Sequence, residues 1–328
     1  MKHKVFRPIL YGLFTFLFIF CVVMAMPRLW SAMNPNKPPV GYHFMLLDYV
    51  AIGTHLEKLV EMSPAIPDNL DFKKDIEYKN VGGKSLKLDI LRPKNITADA
   101  PLIVFIHGGG WTSGRKEDYL CYMVPFAEKG YVTASLSYRL LEEAPYPACA
   151  EDIDDAVKWV FTNSEKYGYS PEHIALVGGS AGAHLAMLAA YGWGKSNDSV
   201  SSAQNYPHIR AVVDIYGPAD LTTPYARAHP LVTSFLARSY EKDPGFFSEA
   251  SPMKYISRNS PPTLILHGTS DQLVPVSQSD TLKARLDRLG VPAVYFRFPL
   301  WPHAMDVDKR VNDFAFAKMS EFFVKYLK

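Results

Sequence analysis

The stretch Ile174-Ala-Leu-Val-Gly-Gly-Ser-Ala-Gly182 constrains this chain more than any other. Ile174 to Val177 are apolar and read as a short buried strand. Gly178 to Gly182 fit the pattern G-x-S-x-G, and Ala183 to Tyr191 read as a helix. Strand, sharp turn and helix form the context in which such a turn pushes a serine hydroxyl out at the end of a sheet. Small residues flank the serine because a side chain there would strike the neighbouring strand or helix. Taken alone, the pattern also fits a glycine-rich turn with no chemistry. The rest of the chain decides between the two.

A serine hydroxyl is a weak nucleophile and needs a base, and the base needs a group to orient it. In a sheet of this kind the expected chain order is Ser, then Asp or Glu, then His. Leu264-Ile-Leu-His-Gly-Thr-Ser-Asp271 reads as a buried strand followed by a loop with a carboxylate. Phe296-Arg-Phe-Pro-Leu-Trp-Pro-His303 reads as the last strand and the loop leaving it. Ser180, Asp271 and His303 are therefore the candidate nucleophile, orienting acid and base. His267 precedes Asp271 and reads as structural, and Asp280 and Asp287 read as surface groups. A tetrahedral intermediate also needs fixed N–H donors for its oxyanion. His107-Gly-Gly-Gly110 follows the apolar run Leu102–Ile106. It offers the N–H groups of Gly109 and Gly110, joined by that of Ala181 after the nucleophile. A glycine triplet also suits a phosphate cradle, but no G-x-x-x-x-G-K-S/T accompanies it.

The other elements repeat one theme. Asp75–Lys79 and Leu86–Leu91 flank Gly82-Gly83 and read as a hairpin. Strands are expected at Leu102–Ile106, Tyr131–Leu136, Ile174–Val177, Ile209–Tyr216, Thr263–Leu266 and Ala293–Phe298. Helices are expected at Tyr119–Lys129, Ala150–Asn163, Ser277–Leu289 and Val311–Leu327. Strands alternating with helices give an α/β fold, a mostly parallel, doubly wound sheet with helices on both faces. Active groups in such sheets lie at the carboxyl ends of the strands, where each candidate residue falls.

Lys2, His3, Lys4 and Arg7 form a basic head before Ile9 to Met26, an uncharged, Phe-rich run. That run would span about 27 Å as a helix, just enough for a hydrocarbon core. It is a membrane anchor, or a signal peptide cut after Val23-Met24-Ala25. Either way the head stays cytoplasmic and the bulk of the chain is exported. The organisation expected is a targeting or anchoring segment at 1–26, a linker and cap helices at 27–74, and the catalytic domain at 75–328. Pro27 to Pro39 reads as the linker, and Tyr42 to Met62 as helical.

With 328 residues and a net charge of +2, without long runs of one sign, nothing suggests nucleic-acid binding. Cys21, Cys121 and Cys149 are too scattered for a zinc site or disulfide framework. Cys121 and Cys149 either pair, in a compartment that permits it, or are ordinary buried thiols. No metal or organic cofactor is expected.

His107-Gly-Gly-Gly-Trp111, Ser137-Tyr-Arg-Leu140 with Pro145-Tyr-Pro147, Gly178-Gly-Ser-Ala-Gly182 and Pro302-His-Ala304 occur in one order. Together they resemble the α/β-hydrolase fold in its hormone-sensitive-lipase-like group, and more closely bacterial esterases related to feruloyl esterases. Tyr216-Gly-Pro-Ala-Asp220 and Glu249-Ala-Ser-Pro252 resemble the same branch. The resemblance covers about Asp75 to Lys328. It implies a serine carboxylic-ester hydrolase acting on small to medium acyl or aromatic esters, with Ser180, Asp271 and His303 as triad and Gly109, Gly110 and Ala181 as oxyanion hole. It also implies that Trp111 and Tyr138 shape the substrate pocket. Trp301-Pro302 departs from the pattern and is expected to narrow the pocket. Pro218–Ser260 is expected to supply part of a lid. The same triad would serve an arylformamidase-like amidase or an acyltransferase. A non-catalytic binding protein of this fold would typically lose a triad member, and here all three are present.

Overall fold

A computed structural model describes residues 2–97, 99–192, 194 and 207–328. Its centre is one eight-stranded sheet in the order β1-β2-β4-β3-β5-β6-β7-β8. The strands are β1 Leu70–Val81, β2 Lys84–Pro93, β3 Leu102–Ile106, β4 Val132–Leu136, β5 Ile174–Gly179, β6 Ile209–Ile215, β7 Thr263–Gly268 and β8 Ala293–Phe298. β1 pairs antiparallel with β2, and β2 antiparallel with β4. All remaining pairings are parallel.

β3, β4 and β5 are buried along their whole length, which explains their unbroken apolar runs. Alternate residues feed two cores. Leu102, Val104 and Ile106 pack in one, with Ile153, Ala156, Val157 and Val160 of α4 (Ala148–Thr162). Ile103 and Phe105 pack in the other, with residues of α3 (Leu120–Glu128) and of the C-terminal helix Lys309–Tyr326. Cys149 belongs to the first core and Cys121 packs against the second, so the sheet separates them and both are free thiols.

Three expectations are corrected. The sheet begins at Leu70, not Asp75: β1 carries a bulge between Lys73 and Ile76, with Asp75 at φ 56° and its N–H donated to Asp89 Oδ1 at 2.8 Å. The N-terminal helix α1 runs from Lys2 to Met33, through Pro27. The missing proline N–H costs one helical bond, and Arg310 secures the following turn by donating to Pro27 O and Ser31 Oγ. Within Tyr42–Met62 only α2, Met45–Gly53, is helical. Beyond it Thr54 caps the last turn and His55 takes a positive φ of 59°, which ends the helix.

Candidate active site

Ser180 stands between β5 and α5 (Ala181–Tyr191) at φ 55°, ψ −122°, a conformation rarely tolerated outside glycine. Its N–H donates to Ile215 O at 2.9 Å. Gly182 makes the turn possible. A Cβ there would lie 2.0 Å from the carbonyl oxygen of Ile106.

The loops after β7 and β8 bring two further side chains to this serine. His303 Nε2 lies 2.9 Å from Ser180 Oγ, and His303 Nδ1 lies 2.6 Å from Asp271 Oδ2. The carboxylate thus takes Nδ1–H, leaving Nε2 free to accept from the serine hydroxyl. Asp271 Oδ1 accepts the N–H groups of Leu273 and Val274 at 2.9 and 2.8 Å, which locks its orientation. Burial pushes the Asp271 pKa up, but hydrogen bonds from His267, His303 and the Val274 backbone outweigh it and hold the carboxyl at about 2. His267 is fully buried between Ser279 Oγ and Val274 O, as a structural histidine would be.

Gly109 and Gly110, at φ 99° and 60°, carry the loop from β3 past Ser180. The Gly109 carbonyl is engaged by the N–H groups of Thr112 and Ser113. Among the described residues, the N–H groups of Gly109, Gly110 and Ala181 find no protein acceptor. Behind the loop, the His107 ring stacks on Tyr138 at 4.3 Å, and the Tyr138 hydroxyl donates to His107 O at 2.8 Å.

Two cavities flank the Ser180–His303 pair. The smaller, about 40 Å³, is lined by Gly110, Trp111, Ser180, Ala181, Leu231 and Val232. Trp111 stacks on Phe235 at 4.1 Å. The larger, about 520 Å³, lies on the His303 side and includes Tyr42, Tyr49, Trp301, Pro302 and Met305. Trp301 lines it while donating Nε1–H to Pro39 O at 3.0 Å. Tyr138 lines neither cavity and braces the glycine loop instead. Within Pro218–Ser260, the short helices α6 (Pro224–Ala228) and α7 (Pro230–Leu236) cover the smaller cavity with Tyr225, Leu231 and Val232.

Sequence reasoning gave no role to a second carboxylate near His303. Tyr216 packs its ring 4.6 Å from the His303 ring and donates its hydroxyl to Asp306 Oδ1. Tyr122 also donates to Asp306, at 3.4 Å. Burial raises the Asp306 pKa above the usual carboxylate range, against these bonds. The positive φ of Tyr216, 46°, is the local signal of a constrained position, and it is invisible in one-dimensional sequence.

Residues 88–286 match the BD-FAE family model, a span that contains Ser180 and Asp271 and ends before His303. The chain is 34% identical over 251 residues to Esterase LipQ of Mycobacterium tuberculosis, and 33% identical over 242 residues to Probable carboxylic ester hydrolase LipM of the same organism. These alignments cover 73% and 71% of this chain but only 58% and 56% of those proteins. Among solved structures it is similar to a truncated carbohydrate esterase from gut microbiota, at a TM-score of 0.68 and 26% identity, over 80% of this chain and 98% of that one. With the family pattern carried across more than half its length on a mostly parallel sheet, the chain belongs to the BD-FAE family and has the α/β-hydrolase fold.

Proposed function

We propose that this protein hydrolyses carboxylic esters through an acyl-enzyme on Ser180. The observation that carries the reading is the continuous chain Asp271–His303–Ser180, at 2.6 and 2.9 Å, beside three unengaged backbone N–H groups. Ser180 Oγ attacks the ester carbonyl carbon while His303 Nε2 takes its proton. The carbonyl oxygen becomes an oxyanion and accepts from the N–H groups of Gly109, Gly110 and Ala181. Each such donor is worth roughly 10²–10³ in kcat. His303 then returns the proton to the leaving alcohol, and water repeats the sequence to release the acid. Asp271 stays ionised, fixes the imidazole tautomer and stabilises its positive form.

The two cavities support a division of the substrate. The leaving oxygen must reach His303 Nε2, so the alcohol portion belongs in the large cavity on the His303 side. The acyl portion belongs on the Gly110–Ala181 side. A cavity of about 40 Å³ holds about three water-sized groups, at roughly 10–15 Å³ each, which suits acyl groups of two to four carbons. The relatives' printed names, Esterase LipQ and Probable carboxylic ester hydrolase LipM, support the reaction class.

The N-terminal helix has a stretch from Tyr11 to Met33 long and apolar enough to cross a membrane. We read it as a retained anchor with the catalytic domain, Leu70 onward, outside the cytoplasm. Met24 and Pro27 are buried against the domain, and Tyr42 donates to Met24 O, so this helix is part of the packed structure. Hydrolysis of p-nitrophenyl esters from acetate to palmitate, by wild type and Ser180→Ala, tests the function. Turnover highest at two to four carbons and abolished in the variant is expected. A folded wild type inactive on every ester would overturn it.

A further inference from the structure

The surface around the large cavity is apolar in a way the chemistry at Ser180 does not require. α1 touches the domain along one stripe, Phe20, Met24, Pro27 and Ser31, spaced as one face of a helix. Residues 11–19 stand clear of it. Against Phe20 and Met24 pack Leu47, Val50 and Ala51 of α2. Phe20 lies six residues inside the apolar run that ends at Met26, about 9 Å along a helix. When α1 crosses a bilayer with Arg28 at the headgroups, α2 is therefore held at the depth of the outermost acyl-chain carbons. Helices that lie in an interface bury their apolar face about 5–10 Å deep.

The outward side of α2 fits that position. Phe44, at its N-cap, and Leu46 and Tyr49 within it are 65%, 70% and 64% exposed, although each is large and apolar or aromatic. The same helix lines the large cavity through Asp48, Tyr49 and Ile52. Leu59, Leu273 and Val307 line that cavity too, and each is at least 40% exposed. The exposed apolar surface of α1, the outer side of α2 and the rim of the leaving-group cavity thus adjoin.

We propose that α2 rests in the outer acyl-chain layer of the bilayer and that the large cavity takes the lipophilic alcohol portion of a short-chain acyl ester directly from the membrane. This rests on the esterase reading above and narrows its substrate class. The occupant of the apolar surface is the bilayer because that surface continues the apolar surface of α1. α2 contributes the wall between lipid and His303, so an alcohol tail lying in the bilayer enters with its ester oxygen leading.

The full chain reconstituted in phosphatidylcholine vesicles provides the test, with two substrates. Hexadecyl acetate partitions into the vesicle, and p-nitrophenyl acetate reaches the site from water. The expected result is that Phe44→Glu combined with Leu46→Glu lowers hexadecyl acetate turnover roughly tenfold or more, as lost burial of two large side chains implies, with p-nitrophenyl acetate turnover unchanged. Leu46→Phe should leave both intact. Unchanged hexadecyl acetate turnover in the double Glu variant, or a wild type that cleaves only the water-soluble ester, overturns the proposal while leaving the esterase reading in place. Loss of both activities in wild type would instead strike the esterase reading. A second measurement is independent of turnover and of how well the Glu variant folds. A nitrobenzoxadiazole fluorophore on Leu46→Cys, in a Cys21→Ser background, should be quenched by brominated lipid and shielded from aqueous iodide. The reverse pattern overturns the proposal.

Discussion

Tyr216 holds its ring 4.6 Å from the imidazole of His303 while its hydroxyl is donated to Asp306, three residues further along the same loop. The tyrosine therefore packs against the proposed base on one side and ties down the backbone that carries it on the other. Tyr216→Ala removes both supports. It should lower kcat by about 10–10²-fold, the cost of misplacing a reacting group by about 1 Å, with a much smaller change in KM. Tyr216→Phe keeps the ring and removes only the bond to Asp306. It should cost about 1–3 kcal/mol of stability with a smaller loss of kcat. Steady-state kinetics and urea unfolding of the two variants separate these effects.

Asp271→Asn should lower kcat by roughly 10³–10⁴-fold, because an amide in place of the carboxylate favours the wrong imidazole tautomer. The Leu273 and Val274 N–H groups can still bond to its carbonyl oxygen, so the fold should survive. Near-native circular dichroism with that kinetic loss is the expected pair of results.

Asp271 also predicts a pH dependence of stability. Its folded pKa, about 2, lies below the ordinary value of 3.8. The unfolded chain therefore binds the proton first as pH falls, and the stabilisation present above pH 4 drains away between about pH 4 and 2. By pH 3 about 1 kcal/mol should be gone. Urea unfolding of wild type and Asp271→Asn at pH 5 and pH 3 should show the stability difference between them shrinking by about that amount at the lower pH.

Leu231→Ala enlarges the small cavity beside Ser180. Room for two more methylenes, at about 0.8 kcal/mol each, should raise kcat/KM for hexanoate roughly tenfold and move the optimum to longer acyl chains. A p-nitrophenyl ester series measures the shift. An unchanged profile would place the acyl group elsewhere.

Much of this arrangement was legible in the sequence because each proposed residue lies on the turn or loop that leaves the carboxyl end of a strand: β3, β5 and β7 are buried throughout, and β8 is partly exposed. Continuous apolar runs located β3, β5 and β7, and the order Ser180, Asp271, His303 followed from the topology they implied. What escaped was set by contacts distant in sequence. The bulge at Asp75 broke the alternation that marks a half-buried strand, so β1 looked seven residues shorter than it is and seemed to begin five residues late. Arg310, nearly three hundred residues away, secures α1 beyond Pro27, where local rules predict a linker. Tyr138 faces the glycine loop through His107, a contact that resemblance alone turned toward the substrate. Asp306 sits three residues after His303 with no spacing that marks it, and its role emerges only when Tyr216 arrives from the end of β6.

The most direct test of the account is the identity of the nucleophilic residue. Wild type should be treated with p-nitrophenyl ethylphosphonate, digested, and mapped by mass spectrometry while residual p-nitrophenyl acetate hydrolysis is followed. One adduct on Ser180, rising in step with loss of activity and absent from Ser180→Ala, is the predicted result. Full loss of activity with the adduct on another residue, or undiminished hydrolysis with Ser180 fully modified, would contradict it.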